Sequence, residues 1–599
     1  MKRWKKVTLA ALGLSLTAAT TFCVPTIWGK PWVVEHFYAR LFLEFALDHP
    51  MVLSSLRVLE PMGIDFHNDD LDDFSVAATR DRLAQVERAL ATLRRYDRDA
   101  LDDPLSYDVL EWFLADQADA ARFAFHDYPV NQLAGLQSEL PDFMINTHQL
   151  TDEETAADYV ARVERFGVAI DQVLESVTYR EQRGVAPPRF VMTRVLEETR
   201  AFVRPPTREH VLFTHFAAAL AELPVDADDR AALEDRLAAV LEDVVYPAYG
   251  RLIDHYAALE PTASEDDGVW KLPDGAAYYA AMLRHHTTTE LGAAEIHAIG
   301  LAEVARIQAE MKEILQAEGR DATDFGATMQ ALAGEPRFLY PDTDDGRAQI
   351  LADYQAIIDE IDAGMGAVFT LRPTAGVTVE RVPEFKQATA PGAYYESAPL
   401  DGSKPGVFYV NLRSVAEIPR FGMRTLAYHE AIPGHHYQIT VARDLEGVPF
   451  FRRIIPFTAY IEGWALYAER VALEQGFERD PYDRLGALQA ELFRAVRLVV
   501  DTGIHHARWT RAEAIEYMLA NTGMPRTDVI AEIERYIVTP GQACAYKVGQ
   551  LKLLELRARA QAQLGARFEL AAFHALVLER GALPLTLLER EVDAWIARA

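Results

Sequence analysis

The sequence predicts a mainly α-helical protein with one small β-sheet, and three observations carry that prediction. Apolar residues recur at three- and four-residue steps along most of the chain from residue 33 onward. The intervening positions are rich in Ala, Arg and Glu, which favour helix. Only one region, about 368–415, alternates instead. Leu83, Val86, Leu90 and Leu93 form the first clear stripe, and similar stripes run through 153–178, 227–258, 290–317 and 347–366. Thr151-Asp152-Glu153-Glu154 is expected to cap the second of these. Breaks are expected at Pro187-Pro188, Pro205-Pro206 and Glu260-Pro261. In the alternating region, Val377–Val382 and Gly406–Leu412 read as strands, with Pro391-Gly392 and Asp401-Gly402 as turns between them. That places a small sheet immediately before a His-rich stretch. Its edge either holds an extended substrate by backbone hydrogen bonds or is an ordinary hairpin. After 415 the pattern is helical to the C-terminus.

The chain has 599 residues, half of them apolar and a quarter charged, enough for a large core. Its 90 acidic against 60 basic residues give a net charge of -30. No Lys/Arg run follows the first six residues, so no nucleic-acid partner is expected. Of the two cysteines, Cys23 lies in an N-terminal apolar segment and Cys544 stands alone. The folded body therefore has no internal disulfide and no Cys-built metal or redox site, and any metal must be held by His and carboxylates.

Lys2, Arg3, Lys5 and Lys6 precede the uncharged stretch Val7–Val24, the pattern of an export signal. Residues 1–28 are read as a signal peptide or signal anchor. Thr17-Ala18-Ala19 can serve as a cleavage site, whereas Thr21-Phe22-Cys23 is a poor lipoprotein box. The stretch is also long enough to stay in the inner membrane with the rest of the chain exported. The expected location is the periplasm, free or membrane-anchored.

The chemistry is concentrated in Tyr428-His429-Glu430-Ala431-Ile432-Pro433-Gly434-His435-His436, followed about 25 residues later by Glu462-Gly463-Trp464 and Glu469. Zinc peptidases commonly use His-Glu-x-x-His, because imidazoles at i and i+4 share a helix face. Here i+4 from His429 is Pro433. His435 is about 120° off the face of His429, and His436 returns to it roughly 10.5 Å along the axis. Pro433-Gly434 is expected to kink or bulge the helix and bring one of the two, His435 or His436, beside His429. Glu462 is the expected third ligand, Glu430 the general base acting on a metal-activated water, and Glu469 a partner orienting an imidazole. Two later stretches, Arg497 to Trp509 and Thr539 to Lys547, supply His505 and Tyr546 as candidate oxyanion or substrate contacts.

These residues, with Gln132–Pro141, Gly268–Gly275, Tyr278-Tyr279, His286–Thr289, Gly406–Asn411, Glu462–Tyr467, Asp501–His505 and Pro540–Lys547, resemble the bacterial family called domain of unknown function 885 over nearly the whole mature length. The resemblance implies a metallopeptidase-like protein. Its layout is similar to the helical thimet oligopeptidase and angiotensin-converting enzyme type. By that analogy the fold is two-lobed around a deep cleft, with an N-terminal lobe over 29–290 and a catalytic lobe over 291–599 carrying the β insert. The implied cofactor is one Zn2+ per chain, and the implied substrates are short peptides or other small amides, since a deep cleft excludes folded proteins. Two other readings are an amide or ester hydrolase of non-peptide substrates using the same metal, and an exported non-catalytic peptide- or ligand-binding protein.

Overall fold

A computed structural model describes residues 24–57, 59–384, 387, 390–398 and 404–599. The expected signal or anchor lies mostly outside them, apart from a short helical stretch beginning at Val24. No helix among the described residues is long and apolar enough to cross a membrane. Among the described residues the protein is mainly helical with one three-stranded sheet, as the periodicity predicts. The stripe around Leu83 is helix Val76–Leu93, and that of 153–178 is helix Glu153–Glu181. The latter begins at the expected cap. Asp152 accepts the Thr155 backbone N–H at 2.9 Å, and Thr155 Oγ1 accepts the Asp152 N–H at 3.0 Å. The stripe of 227–258 is interrupted by a π-helical turn at Leu241–Val245.

One hydrophobic core runs from Val34 to Val592 and so draws on both expected lobes. A second has its buried residues between 71 and 256, with Val538 packed against it, and a third has its buried residues between 304 and 543. Two lobes around a deep cleft are not evident in this packing.

The helices around the candidate site are numbered in chain order: α1 Ala293–Ala317, α2 Arg420–Glu430, α3 His435–Arg443, α4 Thr458–Glu474, α5 Pro481–His505 and α6 Ala545–Leu564. Helix α5 packs along α1 and α2, and α4 packs along α6. The α4–α6 approach is close because glycines face each other. A β-carbon on Gly549 would lie 1.9 Å from the Ala459 carbonyl oxygen and 2.7 Å from Gly463 Cα. Any side chain there would force the helices apart and move Glu462, one residue before Gly463, away from Tyr546 on α6.

The sheet lies where expected, but the two expected strands pair in parallel and a third completes it. Strand β1 (Val377–Arg381) pairs in parallel with β3 (Gly406–Val410), and β2 (Ala393–Glu396) pairs antiparallel with β3 on its other side. The strand at Ala393–Glu396, which the alternation did not reveal, is thus one edge, and β3 is the centre.

Candidate metal centre

The Pro433-Gly434 step ends one helix and begins another, where a kink or bulge was expected. Helix α2 stops at Glu430, the chain turns through a cis Ile432–Pro433 peptide, and α3 starts at His435 with Gly434 as its N-cap residue. Only glycine fits that cap. A β-carbon on Gly434 would lie 1.9 Å from the His429 carbonyl oxygen and 2.3 Å from that of Tyr428. The turn is fastened to α4 by the Trp464 indole N–H, which donates to the Pro433 carbonyl at 2.8 Å in a fully buried contact. Trp464 follows Glu462 by two residues, so the same helix pins the turn and delivers the carboxylate.

The consequence is that His429, His435 and Glu462 converge. One ligand atom from each lies within 4.8 Å of the others. The two imidazole rings meet edge to face, centroids 4.8 Å apart. Glu462 Oε2 is 3.3 Å from His435 Nε2 and 3.8 Å from His429 Nε2. Tetrahedral zinc with ligands about 2.1 Å away holds them about 3.4 Å apart, so these separations fit a cation among them. A further observation agrees: Glu462 Oε2 is buried and has no hydrogen-bond partner, its approach to His435 being a close charge contact without hydrogen-bond geometry.

The orientation of His429 is fixed from behind. Its Nδ1–H donates to Glu469 Oε1 at 2.7 Å, and Glu469 Oε2 accepts the Thr425 hydroxyl at 2.9 Å. That tautomer leaves the Nε2 lone pair facing Glu462 and His435. Burial holds His429 well below the usual imidazole range, with Arg494 adding to the effect. Burial alone would lower His435 too, but the neighbouring Glu462 carboxylate raises it. Conversely, His435 outweighs the burial of Glu462 and brings that carboxyl down to about 2. Glu430 is buried beside them and has no hydrogen bond or ion pair from the described residues. Burial pushes its carboxyl up to about 7, with Glu462 adding to the rise and His435 opposing it. A carboxylate poised near neutrality and free of protein donors is suited to accept a proton.

His436 does not join this group. It points to the sheet, with Nδ1 3.0 Å from the Tyr395 hydroxyl of β2, and burial takes its pKa down to about 4. Of the two imidazoles left open by the sequence, His435 is the one beside His429. The reason is the break: α3 restarts its own helical register at His435, so the 100° steps counted from His429 no longer apply.

His505 is also elsewhere. Its Nδ1 accepts the Val269 N–H at 3.1 Å and its Nε2–H donates to the Tyr536 carbonyl at 2.9 Å, so both ring nitrogens are spent on buried backbone. Tyr546 stays near the cluster. Its phenol is raised by burial and by Glu462, and the Arg497 guanidinium lies 4.4 Å from its ring centroid.

Sequence reasoning did not single out Arg494, which lines a cavity of about 320 Å³ together with His429 and Glu469. A signal was present: Arg494 precedes Arg497 by three residues on an amphipathic helix, so the two share a face.

The family model for "Bacterial protein of unknown function (DUF885)" matches residues 59–592. A candidate lipoprotein from Colwellia psychrerythraea is 36% identical in sequence, and the match covers 94% of this chain and 99% of that one with a TM-score of 0.91. A second, from Shewanella oneidensis and described as of unknown function, is 18% identical over 93% of this chain and 98% of that one, with a TM-score of 0.71. A candidate oligoendopeptidase F from Bacillus anthracis reaches a TM-score of only 0.26 at 11% identity over 86% of this chain and 96% of that one, too weak a likeness to carry any argument. No curated protein matches the chain.

Proposed function

The chain belongs to the bacterial family of unknown function DUF885, and on that premise we propose that it is a zinc-dependent hydrolase of short peptides. The observation that carries the proposal is the convergence of His429, His435 and Glu462 around a buried carboxylate oxygen without a hydrogen-bond partner. His429 and His435 would hold the ion through Nε2, and Glu462 through Oε2. A bound zinc ion would supply Lewis acidity and bring the pKa of water near it to about 7. Glu430 takes the proton of the attacking water and returns it to the departing amine, roles that suit a carboxyl raised to about 7. Glu469 keeps the His429 ring aimed while charge shifts in the site. The phenol of Tyr546, kept protonated by burial and by the nearby Glu462, would donate to the oxyanion of the scissile carbonyl.

The proposed location is outside the cytoplasm, with the N-terminal segment as the export signal and, if retained, a membrane anchor. Relatives described as candidate lipoproteins support export. A membrane-proximal face is supported by crowding of exposed apolar groups. Among the described residues, eleven of fifteen large ones lie between Val24 and Phe66, with Trp28 77% and Trp32 67% exposed. Fractionation of cells is expected to find the protein with the membrane or periplasm; a purely cytoplasmic protein would refute this.

The test of the function is metal analysis of the purified protein alongside peptide turnover. About one zinc per chain is expected, with turnover abolished by chelation and restored by zinc. Glu430→Gln should keep the metal and lose about 10²–10⁴-fold in turnover. No bound transition metal, together with turnover indifferent to chelation, would overturn the proposal.

A further inference from the structure

Helix α5 brings two guanidinium groups to the candidate centre, and neither is fully used by the fold. Arg494 forms no ion pair with any described residue. Its one hydrogen bond runs from Nη1 to the Ala490 carbonyl at 3.3 Å, and its buried Nε has no partner. The other charged groups on the cavity wall are already matched. Glu417 and Asp528 are bridged by Arg413 at 2.8 and 3.5 Å, and Glu469 is held by His429 and Thr425. Arg494 thus borders the same cavity as His429 and opposes the rise of the buried Glu469 carboxyl, but its guanidinium makes no hydrogen bond to any carboxylate among the described residues.

Three residues on, and on the same face of the helix, Arg497 has a side chain only 7% exposed. Its Nε donates to the Tyr536 hydroxyl at 2.9 Å and its Nη2 to Glu532 at 3.1 Å, but its buried Nη1 has no partner. An unsatisfied buried guanidinium nitrogen is costly to the fold unless something else meets it. Guanidinium forks are matched in shape and charge by carboxylates.

We propose that Arg494, assisted by Arg497, binds a carboxylate of the substrate and so sets the distance between that carboxylate and the bond cleaved at His429, His435 and Glu462. The ligand class is a short acyl-peptide bearing an anionic group, either its free C-terminal carboxylate or an acidic side chain. This deepens the hydrolase reading and rests on it for the bond cleaved, but the binding of a carboxylate does not depend on turnover. Arg494 is the specificity residue. Arg497 is the less suitable one to vary, because Tyr536 and Glu532 need it.

The experiment compares three blocked dipeptides with the zinc-loaded full chain, by calorimetric binding and by turnover. They are N-acetyl-Ala-Ala as the free acid, the same peptide as its C-terminal amide, and N-acetyl-Ala-Asp amide. The acid-bearing peptides are expected to bind at least about tenfold more tightly than the neutral amide, and the preferred one of the two identifies the source of the carboxylate. Arg494→Ala should remove that preference, raising KM for the acid about 10–100-fold with kcat largely kept, and Arg494→Lys should restore part of it. Equal binding of acid and amide, or a preference unchanged in Arg494→Ala, would overturn the proposal. So would a fall in kcat for all three peptides with KM unchanged, since that pattern belongs to an oxyanion contact. Absence of turnover of every peptide would count against the hydrolase reading, while the binding comparison still decides this one.

Discussion

His429 Nδ1 and Glu469 Oε1 stand 2.7 Å apart, buried between α2 and α4. This contact selects the tautomer in which His429 Nε2 is unprotonated and turned toward Glu462. It also explains why two carboxylates one heptad apart on α4, Glu462 and Glu469, serve different ends of one site: the first faces the two imidazoles, and the second braces one of them from behind.

Glu469→Ala should therefore weaken zinc binding without removing any proposed ligand. Loss of an orienting carboxylate typically costs about 10–100-fold in metal affinity. Competition with a chromophoric chelator measures it. Unchanged affinity would mean that the ring is held by packing alone.

His505 makes a different prediction from the one its sequence context suggested. Replacing it by Ala leaves the Val269 N–H and the Tyr536 carbonyl unpaired in the interior. Stability should fall by about 2–4 kcal/mol, while zinc content and kcat of the folded fraction stay near wild type. Denaturant unfolding and metal analysis separate the two effects. A collapse of kcat with stability unchanged would return His505 to the site.

Asp501 gives the pH prediction. Burial raises its carboxyl from 3.8 to about 7, against hydrogen bonds from the Tyr279 hydroxyl and the Gly541 N–H that favour the ionised form. The folded state thus keeps a proton that the unfolded chain releases near pH 4. The stabilising contribution is complete below about pH 4 and is lost as pH rises through 7. Asp501→Asn retains an acceptor for Tyr279 but cannot ionise. Its stability relative to wild type should rise by on the order of 2–4 kcal/mol between pH 4 and pH 8, measured by thermal unfolding. A difference independent of pH would show that Asp501 titrates normally.

Helical content was legible because the stripes are long and periodic, and the Asp152 cap because its chemistry is local. Strand Ala393–Glu396 was not, since its four residues Ala-Tyr-Tyr-Glu carry no alternation and owe their conformation to pairing with Gly406–Val410. Residue type alone drew attention to His429, Glu430, Glu462 and Glu469, and in the structure His429 lies between Glu462 and Glu469. The choice between His435 and His436 could not be read that way, because it depends on where the second helix restarts. That is set by the fit of Gly434 against the His429 carbonyl and by the Trp464 bond to Pro433, both of them tertiary contacts. His505 misled for a related reason. A buried imidazole binding backbone on both sides has the same sequence signature as one free to meet a substrate.

The most direct measurement is crystallographic, with anomalous diffraction recorded on both sides of the zinc absorption edge from zinc-loaded crystals. One zinc peak per chain is expected, bound by His429 Nε2, His435 Nε2 and a Glu462 oxygen with a fourth position open to solvent, and with His436 still on Tyr395. A peak ligated by His436, or no peak at His429 under conditions of zinc saturation, would contradict that arrangement.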